Sequence, residues 1–328
     1  MVHVFSADAV HAALPWDACA AALEAAFVAG ACVPVRHAHA LSDQDTLLLM
    51  PAWDNKLILT KLVTVMPGAA HTVQAAVVAL DRATGAVRAV MDGEALTLRR
   101  TAATSALAAR ALCAPATKTL LMVGTGRLAE WLVRAHVALV PGIARVLVWG
   151  RRPERARALA SRLAALHPGP SIEFDSVASL EAACRLANLI SCATTSTEPL
   201  VRGDWLAEGT HLDLVGGFKP GMREVDDAAV ARARVVVDTY AGALSEAGDL
   251  VQPLQRGVID RDHVRAELAE VLRGERTVRR SDADITLFKS VGTALEDLAA
   301  ARCVLGAVGG AGGRAGVDAD GSPIATGS

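Results

Sequence analysis

At 328 residues the chain is long enough for one large domain or two ordinary ones, each with a sizeable core. Its hydrophobic fraction is 52% and its formal net charge is −2, a globular profile with no electrostatic case for nucleic acid or an anionic membrane. There is no uncharged apolar run of about 18 residues and no basic, apolar leader at Met1-Val2-His3-Val4-Phe5, so neither a membrane span nor a signal peptide is expected.

Pro15 and Trp16 open a helical run in which Leu23 and Phe27 recur four apart, and Gly30 closes it. Strand patterns follow at 46–50, 57–65, 73–81 and 86–91, with Ala83-Thr84-Gly85 as the turn between the last two. That predicts a mainly antiparallel sheet. A helix runs from Glu94 to Cys113 and stops before Pro115. From Lys118 the pattern changes to short apolar strands at 119–123, 146–149, 172–174, 189–193, 212–215 and 235–238. Helices beginning near Arg127, Pro153 and Asp226 lie between them, as in parallel βαβ units. Around Asp260 the chain reads as helical and charged. A last helix at 293–305, with Leu295, Leu298 and Cys303 apolar, returns to the first domain. The tail at 306–328 is rich in Gly and Ala without periodicity and reads as disordered. The expected fold is α/β: a Rossmann-type doubly wound parallel sheet at 116–292, plus an α+β domain from 1–115 with 293–305.

The six cysteines form no C-x-x-C pair, and the nine histidines are not spaced with them as ligands. Reduced, buried thiols in a cytoplasmic protein without a metal site are therefore expected.

Val123-Gly124-Thr125-Gly126-Arg127-Leu128-Ala129 follows an apolar strand and opens a helix. In such a G-x-G-x-x-A turn the first glycine allows the tight turn, the second lets backbone approach a pyrophosphate, and the small third residue lets helix and strand pack closely. The helix N-terminus then offers free N–H groups to phosphates. The next strand, Val146-Leu147-Val148-Trp149, runs into Gly150-Arg151-Arg152-Pro153 rather than into an acidic residue that would bind a ribose 2′-hydroxyl. Paired arginines suit a 2′-phosphate, so NADP(H) is favoured. If they are only a solvated helix start, Glu154 is a candidate ribose ligand and NAD(H) the weaker alternative. Thr194 and Thr195, after the strand at 189–193, fall at the switch-point crevice of the sheet.

On the substrate side, period-2 alternation puts Lys61 on one face with Leu57, Leu59, Val63 and Val65, where it either snorkels to the rim or serves chemistry. Helical spacing puts Arg100 on a stripe with Leu96, Ala103, Thr104 and Leu107 that faces the core. A buried arginine needs an anion, from the protein or from a substrate. With Arg36 in Val35-Arg36-His37-Ala38-His39, these residues suggest a carboxylate pocket. His39 and His37 either assist or are structural.

Taken together, these segments resemble the ornithine cyclodeaminase/mu-crystallin family over nearly the whole chain to about residue 305. The resemblance rests on Lys61-Leu62-Val63-Thr64, Met91-Asp92-Gly93, Arg100-Thr101-Ala102-Ala103, Gly124-Thr125-Gly126, Gly216-Gly217-Phe218-Lys219-Pro220-Gly221 and Thr286-Leu287-Phe288-Lys289-Ser290-Val291-Gly292. It implies a homodimer in which the first domain forms the interface and binds a small imino or amino acid. By the same resemblance Arg36, Lys61 and Arg100 surround the substrate. Val215, Gly216, Ser290 and Val291 border the cofactor, with Gly292 and Thr293 beside the substrate. Family cyclodeaminases carry an aspartate where this chain has Phe218, and phenylalanine can neither bind an ammonium nor move a proton. The resemblance is greatest to the bacterial Δ1-pyrroline-2-carboxylate reductases of the family. It therefore implies NAD(P)H-dependent reduction of a cyclic imino acid rather than cyclodeamination of ornithine or lysine. An alanine-type dehydrogenase and a crystallin-like binding protein share most of these segments.

Overall fold

A computed structural model describes residues 2–70, 72–167 and 171–311, with side chains to residue 307. The chain opens with β1 (His3–Phe5), α1 (Ala7–Ala13), α2 (Trp16–Ala29), β2 (His37–Ala40), β3 (Thr46–Trp53), β4 (Leu57–Val65), β5 (Val73–Asp81), β6 (Val87–Asp92) and α3 (Gly93–Leu112). Strands β2 to β6 pair antiparallel in succession, and β1 adds parallel to β6 at the far edge. Asp81 makes the expected turn: its Oδ1 accepts from Ala83 N at 3.1 Å and Thr84 N at 3.0 Å. Strand β3 is longer than its pattern suggested and continues through Pro51. The proline fits because β2 pairs with β3 only as far as His37–Leu49, so Pro51 owes no N–H on that side. Strand β2 was not expected, since all four residues of His37-Ala38-His39-Ala40 are exposed and carry no burial alternation.

The second sheet comes from β7 (Thr119–Val123), α4 (Arg127–Leu139), β8 (Arg145–Trp149), α5 (Pro153–Leu166), β9 (Glu173–Ser176), α6 (Leu180–Leu186), β10 (Leu189–Cys192) and β11 (His211–Leu214). It is completed by α7 (Asp227–Arg232), β12 (Arg234–Val237), α8 (Tyr240–Glu246), α9 (Gly248–Gln255), β13 (Val264–Glu267), α10 (Leu268–Leu272) and β14 (Thr286–Lys289), before α11 (Ala294–Ala311). Its eight strands lie in the order β13-β12-β14-β11-β10-β7-β8-β9, and all pairs are parallel. The chain winds outward from β7 through β8 and β9, then returns to β10 on the other side, so the switch point lies between β7 and β10.

Two expectations fail here. The charged stretch after Asp260 is helical only in a 3-10 turn, Arg261–His263, and in α10, with the unexpected strand β13 between them. Val264 and Ala266 of that strand are buried while Arg265 is exposed, a period-2 pattern too brief to stand out among charges. The disorder expected from residue 306 is also corrected, because α11 continues to Ala311. The rest of that tail, 312–328, lies outside the described residues.

Helix α3 joins the two halves. Leu96, Ala103 and Leu107 pack with Leu59, Val77 and Met91 of the first sheet. Ala102, Ala106 and Ala109 pack with Leu120 and Met122 of the second and with Leu132 and Val133 of α4. Ala108 and Leu112 join Phe288 and Val236. A helix buried on all sides must be lined with small residues, which explains the run of alanine, threonine and serine. Arg99 reinforces the junction, its guanidinium 3.7 Å from the Trp16 ring centroid and 5.4 Å from that of Trp131 on α4.

Candidate active site

The glycine turn sits at the switch point. Gly124 has φ +124°, and a Cβ there would lie 2.7 Å from Ala193 O, so only glycine lets the β7 and β10 ends approach this closely. Gly126 caps α4 with no side-chain hydrogen bond, and a Cβ there would meet nothing within 4 Å. That leaves the first amides of α4, at Arg127 and Leu128, open toward the crevice for an anion. Thr125 packs its methyl against Gly150 at the end of β8. Arg151 and Arg152 beyond it are exposed, and among the described residues neither forms an ion pair. These features fit a dinucleotide held at the glycine turn.

Across the crevice, Thr194 donates from N and Oγ1 to Glu224 Oε1, at 2.7 and 2.9 Å, so its hydroxyl serves the loop. Thr195 is exposed. Val215 and Gly216 follow β11, and a Gly216 Cβ would collide with Thr194 O at 2.2 Å. Beneath this turn Lys289 Nζ donates to Leu214 O at 3.2 Å and to Gly216 O, and lies 3.3 Å from Asp249 Oδ2. Burial pushes the neighbouring Glu224 carboxyl up to about 8. Ser290 is buried, and Asp238 Oδ2 accepts from Val291 N and Gly292 N at 2.8 and 2.7 Å, fixing that loop.

Between the two sheets lies a cavity of about 620 Å³. Lys61 and Arg100 form one wall with Thr97, while Leu48, Met50, Val63, Val65 and Leu98 form an aliphatic one. Phe218 and Val291 reach it from the second half of the chain, Thr72 and Gln74 from β5 and the loop before it. Glu94 and Arg127, which pair with each other, also line it.

Lys61 and Arg100 are only 2% and 4% exposed, and their anions come from α11. Lys61 Nζ is 2.8 Å from Asp297 Oδ2 and donates to Oδ1 at 3.0 Å. Arg100 donates from Nε to Asp297 Oδ1 at 3.0 Å and from Nη1 to Glu296 Oε2. Desolvation lowers Lys61 to about 8, against the pull of Asp297. Burial also opposes the Arg100 charge, but Asp297 and Glu296 outweigh it and the guanidinium is held more firmly protonated than usual. Glu296 and Asp297 had not been anticipated, although two acids inside the apolar stretch from Ala294 to Val304 signal a buried cation partner.

The remaining candidates divide. Arg36 borders the cavity, with Nη2 donating to Gly292 O at 2.9 Å and Val291 O at 3.3 Å and lying 3.4 Å from Glu246. Gly292 packs against the Arg100 guanidinium. With Thr293 it lines a second cavity, of about 320 Å³, on the far side of that loop. His39 is a correction. It pairs with Leu47, whereas Leu48 and Met50 face the cavity, so alternation turns His39 to the opposite face of the sheet. The expectation of uniformly buried thiols is corrected too: all six cysteines are free, and Cys32 is exposed.

A glycine turn at the switch point of a doubly wound sheet, facing a cavity with a desolvated lysine, defines a Rossmann-type oxidoreductase. The chain belongs to the ornithine cyclodeaminase/mu-crystallin family, whose profile matches residues 2–310. Protein SAR DEFICIENT 4 of Arabidopsis thaliana is 41% identical over 83% of this chain and 86% of its own length. The Δ1-pyrroline-2-carboxylate reductase of Paracoccus denitrificans is 39% identical over 77% and 80% respectively. Among solved structures, Thermococcus litoralis Δ1-pyrroline-2-carboxylate reductase in complex with NADH and L-proline superposes with a TM-score of 0.88 at 32% identity, covering 95% of this chain and 98% of that one.

Proposed function

We propose that this chain reduces a cyclic imino acid, Δ1-pyrroline-2-carboxylate or Δ1-piperideine-2-carboxylate, to L-proline or L-pipecolate. Bound at the glycine turn, NADPH would supply the hydride that C2 accepts. The observation that carries this reading is the cavity: one cationic wall for a carboxylate, aliphatic walls for ring methylenes, and Phe218 where a cyclodeaminase of the family has an aspartate. Kinship with reductases of this name supports it.

In this reading Arg100 turns the N–H groups left free by Glu296 and Asp297 toward the substrate carboxylate, with Arg36 beside it. Lys61 donates a proton to the imine nitrogen, making the carbon electrophilic, and is reprotonated from solvent. An ammonium with its pKa near 8 is charged at neutral pH yet a stronger acid than ordinary lysine. The aliphatic wall packs the ring methylenes and holds C2 at attack distance. Arg151 and Arg152 hold the 2′-phosphate, which favours NADP(H), with NAD(H) as the weaker cofactor.

We further propose that the protein is a homodimer and works in the cytoplasm, where an exposed thiol such as Cys32 stays reduced. No single helix among the described residues is long and apolar enough to cross a membrane.

The test follows NADPH absorbance with pyrroline-2-carboxylate, piperideine-2-carboxylate, and pyruvate plus ammonia in parallel. Consumption with a cyclic imine is expected. Consumption only with pyruvate and ammonia would overturn the choice of substrate in favour of an open-chain dehydrogenase.

A further inference from the structure

Glu296 and Asp297 are both fully buried near the start of α11, in a stretch that otherwise packs alanine and leucine against the first sheet. Carboxylates in such a place are costly unless matched by cations, and Lys61 and Arg100 match them. Glu296 meets only one of these cations, Arg100. Asp297 instead spans both cations: Oδ1 is 3.0 Å from Lys61 Nζ and 3.0 Å from Arg100 Nε, and Oδ2 is 2.8 Å from Lys61 Nζ. Without it, two positive groups would face each other in a desolvated wall, and the lysine, the weaker base, would give up its proton at a lower pH.

We propose that Asp297 is a positioning residue, holding the Lys61 ammonium and the Arg100 guanidinium at a fixed separation and keeping Lys61 charged for each turnover. The proposal rests on the reductase reading above, in which Lys61 supplies the proton. Glu296 has a different part. It pairs with Arg100 and accepts from Thr293 N at 3.4 Å, but forms no hydrogen bond with Lys61, so it fixes the carboxylate-binding group alone.

The groups facing Lys61 from each element can be named. Helix α11 contributes Asp297 and Glu296. Helix α3 contributes Arg100 and the Thr97 hydroxyl at 3.5 Å, with Glu94 a turn earlier on the same wall. Its cross-strand neighbours Met50 and Val77 carry no charge. Arg36 and Arg127 border the same cavity. Of these, Asp297 is the charge in direct contact with the ammonium, so its removal dominates the balance.

The experiment compares kcat and KM against pH for the wild-type enzyme and for Asp297→Asn, Asp297→Glu and Glu296→Gln, using NADPH and the cyclic imine, with NADPH affinity measured separately. Asp297→Asn is expected to move the alkaline limb of kcat down by about one pH unit and to lower neutral kcat by about ten-fold, roughly two-fold of it from deprotonation and the rest from lost positioning, with NADPH affinity held. Asp297→Glu keeps the charge and should leave the limb in place at reduced kcat. Glu296→Gln should raise KM for the imine and move the limb less than Asp297→Asn does. A limb that stays put in Asp297→Asn, or one that shifts equally in Glu296→Gln, overturns the assignment. Should the asparagine variant fail to fold, a displaced limb in Asp297→Glu overturns it instead. A wild-type enzyme that reduces no cyclic imine overturns the reductase reading, and this proposal with it. An active wild type with an unmoved limb overturns only the part given to Asp297.

Discussion

Lys61 shares its face of β4 with Leu59 and Val63, and that face looks onto α3 and α11 rather than onto water. The burial that packs its neighbours also strips its ammonium of solvent, and Asp297 offsets only part of the loss. If the protonated form is the proton donor, the sign of the pH dependence follows. Its pKa in the fold is about 8, below the ordinary 10.5, so kcat holds below about 8 and falls as pH rises through that value. Lys61→Met should cut kcat by about a hundred-fold or more while leaving NADPH affinity nearly intact. It should also lower the melting temperature, because Asp297 then keeps only Arg100 as a partner. Steady-state kinetics with a thermal melt decides this, and unchanged turnover would sink the lysine assignment.

The β8–α5 turn is the element to which the proposal above assigns cofactor choice. Trp149 ends the strand, Gly150 lets Thr125 close in, and Arg152 precedes Pro153 at the first turn of α5, leaving both arginines free at the rim. Replacing both by alanine should raise KM for NADPH at least about ten-fold and change KM for NADH little, since only one cofactor carries the extra phosphate. Equal effects on both would assign the arginines to general basicity. This turn was readable in the chain because strand, glycine and helix start are local features, set by residues within a few positions of each other. The same holds for β4, β5 and β7, whose apolar patterns match their observed bounds. What escaped detection depends on contacts distant in sequence. Lys61 and Arg100 betray their burial by period, but their partners lie about 200 positions away on α11. Likewise β2 and β13 are edge strands whose pairing, not their hydrophobicity, makes them strands. His39 shows the cost of reading a residue type without its register.

At the scale of the molecule, the first sheet has a face that the described residues leave only partly covered. Helices α3 and α11 both pack on the side of Leu59 and Lys61. The alternate residues Leu47, Leu49, Ile58, Leu62, Val78 and Leu80 point the other way and are only partly buried. Aliphatic side chains in cross-strand register over three strands make a contiguous apolar patch of the kind that marks an interface. In the homodimer proposed above, a second copy of the same sheet would cover it, since a two-fold axis brings identical patches together. The expected state is therefore a dimer by light scattering across micromolar concentrations. Leu62→Asp, near the centre of β4 and facing outward, would place a carboxylate in a desolvated contact and should shift the protein to monomer. Because Leu62 is adjacent to Lys61 on the strand, the same variant should lose turnover if the lysine's placement depends on a sheet stiffened from both sides, and keep it if α3 and α11 suffice. A wild-type protein that remains monomeric at high concentration would leave that face to some other partner.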